Sequence, residues 1–380
     1  MYRELFDSHF GVIVDWRSQC DVKHKLKDVL IIVACATLCG IDDLAGIVDY
    51  GEEKAEFLEQ TFGITAIPSK ATLSRIMGVL DAKELASCIV GIMREALGVT
   101  GNILAIDGKS ICSTQKAGIV KEKLHIVTAY LTANGVCFGQ LSVDGKTNEI
   151  PTVRELVKML DVKGMTLTLD AMHCQKDTVK EIVGKGADYV IGLKENQKLL
   201  HDDIALYMKD CITGKHIDVE TATTSEKSRD RHETRICCKT PDLSWLPSKD
   251  EWPKFNNAYS IFRRTVIGGK VSEETSYYIT SLDVPCEKML SIVREHWKIE
   301  SMHWMLDVVF SEDDCQILSA NGQKSMNVFR KQALAIHRQY IKGLNLKTPP
   351  STKKHMLRCL MNDRLLLNVI QCDGAVTEMS

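Results

Sequence analysis

Apolar side chains recur every three or four positions through about the first 95 residues, which is the spacing of amphipathic helices. The stretch "DDLAGIVDYGEEKAEFLEQTFG" shows this repeat and stops at a glycine. The stretch "VLIIVACATLCGI" is apolar almost throughout, so it predicts a buried helix, and it is too short to span a bilayer. A short helix predicted after Pro68 fits either a DNA-reading element or a part of a plain helical bundle.

After about residue 101 the pattern changes to short apolar strands that alternate with helices. Two of the strands, in "LAIDGKS" and "LTLDAMHC", are predicted to end at or near an aspartate. An Asn-Gly pair at 134–135 predicts a hairpin turn between two β-rich runs. The predicted order is strand, hairpin, helix, strand, helix, strand. It predicts an α/β fold with helices on the faces of a mixed sheet.

The composition is that of a globular protein, with 44% hydrophobic and 26% charged residues in 380, and this length predicts two or three domains. The formal net charge is −2, so any binding of nucleic acid must come from local basic patches. Fourteen cysteines without Cys-x-x-Cys spacing predict reduced, buried thiols rather than disulfides or zinc ligands. With no apolar signal segment or membrane-spanning run, we expect a cytoplasmic protein that does not contact the membrane.

One predicted helix, 295–310, carries a polar stripe. His296, Glu300, His303 and Asp307 follow at steps of four, three and four, so they lie on one helix face. This stripe fits a solvent-facing surface of a docked helix. It also fits a carboxylate-bridged iron site that uses Glu300-x-x-His303, or a zinc site that uses the two histidines.

The same helix carries an apolar stripe and two tryptophans. The residues predicted to dock the helix are Ile292, Ile299, Leu306 and Phe310. Trp297 and Trp304 are seven positions apart on a neighbouring stripe. We interpret both as packing anchors rather than as residues that stack on bases, although an aromatic side chain beside a catalytic glutamate could hold a flipped base.

The two strand-end aspartates, Asp107 and Asp170, are candidate metal ligands. An isolated aspartate in this position is more often a turn former or a helix cap. In adjacent strands, however, the two would place their carboxylates at one rim of the sheet, and the polar helix could add Glu300. Oxygen-only ligands suit Mg²⁺ or Mn²⁺, and two ions about 3.5–4 Å apart support phosphodiester cleavage and transfer.

Six motifs occur in an order that resembles a known family. They are "LAIDGKS", "GKTNEIPTVRELVKMLD", "TLDAMHCQK", "DYVIGLKENQ", "YYITSL" and "REHWKIESMHWMLDVVFSED". Together they closely resemble the DDE transposases of bacterial insertion sequences, in the branch that includes the H-repeat-associated proteins. The resemblance covers nearly the whole chain. It implies a ribonuclease-H-like catalytic core that is interrupted by a β-rich insertion.

The resemblance and the change of pattern together suggest three parts. Residues 1–95 would form an all-helical, transposase-associated domain with a possible role in DNA binding. Residues 96–340 would form the ribonuclease-H-like DDE catalytic domain, with the insertion at about 196–275. Residues 341–380 would form a basic C-terminal tail.

The resemblance assigns Asp107, Asp170 and Glu300 as the catalytic residues and as the ligands of two Mg²⁺ or Mn²⁺ ions. It implies cleavage at the ends of an insertion sequence and transfer of the strand to target DNA. The partners would be double-stranded DNA, as terminal inverted repeats and target, and a second copy of the chain in the DNA complex. The alternatives are an inactive remnant that only binds DNA and a general metal-dependent nuclease.

Basic and imidazole side chains near these motifs are candidate contacts to DNA phosphate: Lys109, Lys194, Arg231, Arg235 and His296. In related transposases the glutamate helix carries the pattern Tyr-x-x-Arg-x-x-x-Glu-x-x-x-x-x-x-Lys. Here Val293, His296 and Asp307 stand at the positions of its Tyr, Arg and Lys. Asp107, Asp170 and Glu300 are all present, which favours an active enzyme. Because the other three positions differ, the DNA-positioning roles of the family's Tyr, Arg and Lys do not transfer directly to this chain.

Overall fold

The structure is a computed structural model that describes residues 2–15, 17, 22–97, 101–112, 123–143, 149–212, 219–240 and 242–371. Within these residues the chain is a mixed α/β protein. It divides into two compact units. The first comprises Met1–Gly101, Gly108–Lys146 and Ser301–Ser380, and the second comprises Asn102–Asp107 and Thr147–Glu300.

The described residues before 98 form helices, as the apolar spacing predicts. They are α1 (Tyr2–Phe10), α2 (Leu26–Leu38), α3 (Leu44–Glu53), α4 (Ala55–Phe62), α5 (Lys70–Val79) and α6 (Ala82–Leu97). Helix α2 is buried along almost its whole length, which explains its nearly continuous apolar sequence. Asp43 and Ser69 cap α3 and α5 by accepting backbone N–H groups, and Gly63 ends α4 with a φ of 73°.

Strands and helices then alternate. The order is β1 (Ile103–Ile111), β2 (Leu124–Leu131), β3 (Val136–Val143), α7 (Glu149–Met159), β4 (Thr166–Leu169), α8 (Lys176–Gly184), β5 (Asp188–Leu193), α9 (Lys198–Ile212), β6 (Thr221–Ser228), β7 (Arg231–Lys239), β8 (Asn257–Ile267) and β9 (Lys270–Thr280). Helices α10 (Cys286–Phe310), α11 (Ala320–Gly343), α12 (Thr352–Met361) and α13 (Asp363–Ile370) complete the described chain. None of the helices that the structure describes is long and apolar enough to cross a membrane.

The first unit joins the N-terminal helices to the hairpin and to the helices at the end of the chain. Strands β2 and β3 pair in antiparallel fashion around the predicted turn, where Gly135 has a φ of 70°. Helix α11 is buried along most of its length. The stretch predicted as a basic tail contains α12 and α13, whose first turns are capped by Ser351 and Asn362.

The second unit is built on the sheet that begins with the first half of β1. From there the strands follow the order β1-β4-β5-β9-β8-β7-β6. Strands β1, β4 and β5 are parallel to one another, and β9, β8, β7 and β6 follow as antiparallel neighbours. The predicted β-rich stretch after residue 196 thus forms α9 and the four antiparallel strands.

The first half of α10 packs on this sheet. Its buried side chains share an apolar cluster with residues of β5, β7 and β8: Cys286, Met289, Leu290 and Ile292 lie with Val190, Cys237, Tyr259 and Ile261. Burial of such side chains contributes about 1.5–3 kcal/mol each, so this cluster fixes the start of α10 on the sheet. The boundary between the two units falls within β1 and within α10.

Candidate active site

Two aspartates lie side by side on neighbouring parallel strands. In the pairing of β1 with β4, Ile106 is opposite Leu169, and the next residues are Asp107 and Asp170. Neighbouring strands lie about 4.8 Å apart, and residues in register point to the same face. Asp170 directly follows β4, as predicted. The prediction that β1 ends at Asp107 is wrong, because the strand continues to Ile111.

Helix α10 brings Glu300 to this pair. Ile292 and Ile299 are buried and hold the helix against the protein, while the Glu300 side chain is exposed. Partial burial raises the pKa of Glu300, and the charges of Asp107 and Asp170 raise it further. The structure therefore brings Asp107 and Asp170 close enough to Glu300 for their charges to act on it.

The spacing of these carboxylates matters for the ions that they could hold. Among the described residues, the three do not form a group whose ligand atoms all lie within 4.8 Å of one another. As placed, the three carboxylates therefore do not enclose a single ion. The all-oxygen donors suit Mg²⁺ or Mn²⁺, and the mutual repulsion is what a bound cation would relieve.

His296 is part of the support for Asp170. Its ring is buried, Nδ1 lies 2.9 Å from the Thr168 hydroxyl oxygen, and Nε2 lies 3.4 Å from Asp170 Oδ1. In the neutral tautomer that fits both contacts, Nε2–H points to the carboxylate and Nδ1 accepts the hydroxyl proton. Hydrogen bonding to His296 is the main reason that the pKa of Asp170 is lowered, against the opposing effect of burial.

Lys194 follows β5 and is exposed. Its charge also lowers the pKa of Asp170, so it faces the same acidic region. Two polar side chains just after it hold the turn that follows Asp170. Asn196 donates to the Ala171 carbonyl at 2.8 Å, and Gln197 donates to the Cys174 carbonyl at 2.9 Å.

Sequence reasoning missed these supporting residues. The polar stretch after β5, "KENQ", was a usable signal, because four polar side chains in a row at a strand end often serve a turn or a site. A buried pair, His173 Nε2 at 3.1 Å from Glu149 Oε1, was not detectable, because its partners come from different elements. The charge of His173 also contributes to the lowered pKa of Asp170.

Lys109 is engaged in ion pairs within the first unit. Its Nζ lies 2.6 Å from Asp307 Oδ1 and 2.8 Å from Glu312 Oε2, and its side chain is mostly buried. A DNA phosphate would have to replace one of these partners. Asp307, which occupies the lysine position of the family pattern, is thus paired with a lysine of β1.

Arg231 and Arg235 lie on β7 and both form an ion pair with the buried carboxylate of Glu233. Their charges lower the pKa of Glu233 in spite of its burial, which alone would raise it. Since the single carboxylate of Glu233 neutralises only one of the two guanidinium groups, these three side chains together keep one positive charge. About half of the Arg231 side chain is exposed, so it can still meet a phosphate.

The tryptophans of α10 are not packing anchors, so that prediction is wrong. Trp297 is 44% exposed and Trp304 is 61% exposed, because the apolar stripe of Ile292, Ile299, Leu306 and Phe310 already docks the helix. The polar stripe is also not simply a solvent-facing surface, because His296 and His303 are both buried.

Two family models match this chain. The DDE_Tnp_1-associated model matches residues 8–93, and the Transposase DDE domain model matches residues 100–336. The chain belongs to the DDE transposase family. The resemblance predicted from the six motifs is therefore confirmed.

Relatives of this transposase family align over most of the chain. "H repeat-associated putative transposase YhhI" from Escherichia coli K12 is 32% identical over 339 residues, which are 86% of this chain and 89% of the relative. "Putative transposase YncI" from Escherichia coli O157:H7 is 34% identical over 87% of this chain and 86% of its own length.

Among solved structures, a chain of the piggyBac transposase synaptic complex with hairpin DNA matches with a TM-score of 0.43 and 10% identity. The match covers 100% of this chain and 82% of that chain.

Proposed function

We propose that this transposase cleaves DNA at the ends of an insertion sequence and transfers the freed strand to target DNA, using Asp107, Asp170 and Glu300 as ligands of two Mg²⁺ or Mn²⁺ ions. The observation that carries the proposal is the pairing of β1 with β4, which places Asp107 beside Asp170. Glu300 is close enough to them that their charges, together with partial burial, raise its pKa. Acidic groups that repel one another at a rim of a sheet are an arrangement suited to cations.

The fold assignment within this proposal is a ribonuclease-H-like core. It is supported by the parallel strands β1, β4 and β5, which carry Asp107 and Asp170 on neighbours. The antiparallel strands β6 to β9 would be the β-rich insertion, and the helices before residue 98 would be the associated domain. The exposed polar side chains of α5, which include Lys70 and Arg75, favour a role of that domain in DNA binding.

The residues of the site have separate roles in this proposal. Asp107, Asp170 and Glu300 would supply the carboxylate ligands of the ions. Bound ions would activate the attacking water or 3′-hydroxyl and stabilise the leaving oxygen. His296 and Thr168 fix the orientation of Asp170, and its lowered pKa keeps the carboxylate charged.

In this proposal, the residues that contact DNA are chosen by how exposed their side chains are. Lys194 and Arg231 are exposed enough to meet phosphate, and Arg235 would support Arg231 through their shared glutamate. For His296 we propose a positioning role instead of a DNA contact, because its ring already faces Thr168 and Asp170. For Lys109, a phosphate contact would require the side chain to leave Asp307 or Glu312. Two element ends need two sites, so we expect a dimer on DNA.

The decisive experiment measures strand cleavage of a duplex that carries the element end, with Mg²⁺ or Mn²⁺ present. Glu300→Gln should lower the rate at least ~10³-fold, since loss of metal stabilisation costs several kcal/mol. Glu295→Gln is the matched control, because Glu295 lies on the same helix and pairs with Lys298. Wild-type cutting by Glu300→Gln would refute the assignment, and equal cutting of DNA without the element end would show a general nuclease.

Folding of the variant can be checked independently. The pKa of Glu300 is higher in the folded protein than in the unfolded chain, so ionising this side chain lowers the stability of the fold. The contribution of Glu300 to stability therefore falls as the pH rises from its unfolded pKa to its folded pKa. Glu300→Gln removes the repulsion and should unfold, without metal at neutral pH, at the same temperature as the unaltered protein or slightly higher. A loss of cleavage with unchanged unfolding would then belong to the site.

A further inference from the structure

Three potential metal ligands converge in the interior of the first unit. His337 comes from α11, and His355 and Cys359 come from α12, one turn apart on the same face. All three side chains are buried, and their ligand atoms lie within 4.8 Å of one another. Among the residues that the structure describes, this is the only group of three such ligands with that spacing.

The distances within the group resemble those between ligands of one small ion. His337 Nδ1 lies 2.8 Å from His355 Nδ1, and the Cys359 sulfur lies 4.0 Å from the same His355 nitrogen. Zinc binds imidazole nitrogen at about 2.0–2.1 Å and thiolate sulfur at about 2.3 Å, so ligand atoms around one ion lie roughly 3–4 Å apart. Small side-chain adjustments would therefore centre an ion among the three.

The orientation of His337 has a second feature of a metal ligand. Its Nε2 lies 2.8 Å from the carbonyl oxygen of Leu38, and only an N–H can donate to that oxygen. In the neutral ring Nδ1 then carries the lone pair, and it is Nδ1 that points into the group. A histidine that binds metal typically donates its other N–H to a carbonyl or carboxylate in this way.

The ligand types of the group suit zinc. Two imidazoles and one thiol offer the nitrogen and sulfur atoms that Zn²⁺ binds in proteins. The same set is poorly suited to Mg²⁺ or Ca²⁺, which prefer oxygen.

We propose that His337, His355 and Cys359 form a zinc site that fastens α12 to α11. Binding releases the thiol proton of Cys359 to solvent, and the His355 proton moves from Nδ1 to Nε2, so that Zn²⁺ is held by one thiolate and two neutral imidazoles, with its fourth position open to water. No redox step is involved. Without zinc, the two rings share the hydrogen bond between their Nδ1 atoms.

The test uses the full-length protein, reduced and purified without chelator, and then Co²⁺ in place of Zn²⁺. Thiolate bound to Co²⁺ gives a charge-transfer band in the near ultraviolet, which carboxylate ligands do not give, so the band is independent of Asp107, Asp170 and Glu300. We expect one Co²⁺ per chain with this band, loss of the band on adding Zn²⁺, and a lower unfolding temperature after chelation.

Variants locate the site. Cys359→Ser should weaken the band strongly and remove the effect of chelator on unfolding. Cys88→Ser, which alters another buried cysteine of the first unit, should keep both. If Cys359→Ser fails to fold, the cobalt band and the effect of chelation in the unaltered protein still test the proposal. Absence of the cobalt band, together with unfolding that zinc and chelators leave unchanged, would overturn the proposal without affecting the proposed transposition chemistry.

Discussion

At the level of single residues, the role of His296 depends on its neighbours rather than on its place in a motif. The family pattern has an arginine there, which favours a contact to DNA. The structure buries the ring and directs it at Thr168 and Asp170. A buried imidazole that orients a carboxylate acts on metal binding through that carboxylate.

Replacing His296 should therefore weaken metal binding. Without the ring, the pKa of Asp170 rises from its lowered position, so protons compete with metal up to a higher pH. We expect His296→Ala to weaken Mn²⁺ binding about 10–100-fold and to shift its pH dependence upward, as measured by calorimetry at several pH values. His296→Gln, whose amide can still donate to Asp170, should recover part of the affinity.

Lys298→Ala is the control for this series, because Lys298 is an exposed neighbour on the same helix that pairs with Glu295. It should bind Mn²⁺ as the unaltered protein does. If His296→Ala kept both the affinity and the pH profile, the positioning role would be wrong.

At the level of elements, a buried ion-pair network holds the first unit together. Glu312 follows α10 and is completely buried, and it accepts hydrogen bonds from Lys109 of β1 and from Asn327 and Arg330 of α11. Arg330 also pairs with Asp42, which precedes α3. Removing one member of such a network leaves a buried charge without compensation.

Glu312→Gln should lower the free energy of unfolding at pH 7 by about 3–5 kcal/mol, as measured by urea titration. Burial raises the pKa of Glu312, but the charges of Lys109 and Arg330 outweigh it, and the pKa is lowered overall. The stabilisation is thus complete above the unfolded pKa of about 4.3 and is lost as pH falls through the folded value.

The variant should therefore lose part of the acid sensitivity of the unaltered protein. Glu59→Gln, on the exposed surface of α4, should change the unfolding free energy by less than about 0.5 kcal/mol. A similarly small change for Glu312→Gln would show that this network contributes little.

At the level of the whole molecule, a net charge of −2 leaves DNA binding to local patches. The candidates in the second unit are exposed Lys194 and the half-exposed Arg231. Acidic residues at the metal site repel DNA until cations are bound, so we expect DNA affinity and divalent cations to be coupled.

Arg231→Ala should lower the slope of log affinity against log salt by about 0.9, because one phosphate contact is lost. Fluorescence anisotropy on a labelled duplex at several salt concentrations measures this slope. Arg364→Ala removes the same charge from an exposed position of α13 and should leave the slope nearly unchanged. Equal slopes for the unaltered protein, Arg231→Ala and Arg364→Ala would exclude Arg231 from the DNA contacts. Mn²⁺ binding should be the same in all three proteins.

Much of this protein could be predicted from the sequence because its signals are local. Apolar spacing identifies helices α1 to α6, an Asn-Gly pair identifies the β2–β3 turn, and six ordered motifs identify the family. The acidic residues Asp107, Asp170 and Glu300 also stand out, since each follows or lies in a recognisable element. Periodicity and motifs survive in the sequence because they depend on residues a few positions apart.

The tertiary structure decided which distant groups meet. Lys109 contacts Asp307, which lies 198 positions away in the sequence, and His296 contacts Thr168, which lies 128 positions away. The same packing exposed the tryptophans of α10, and it gathered His337, His355 and Cys359 although the cysteine spacing shows no zinc motif. Such contacts depend on strand register and helix docking, in which many weak interactions add up, and no short stretch of sequence records their sum.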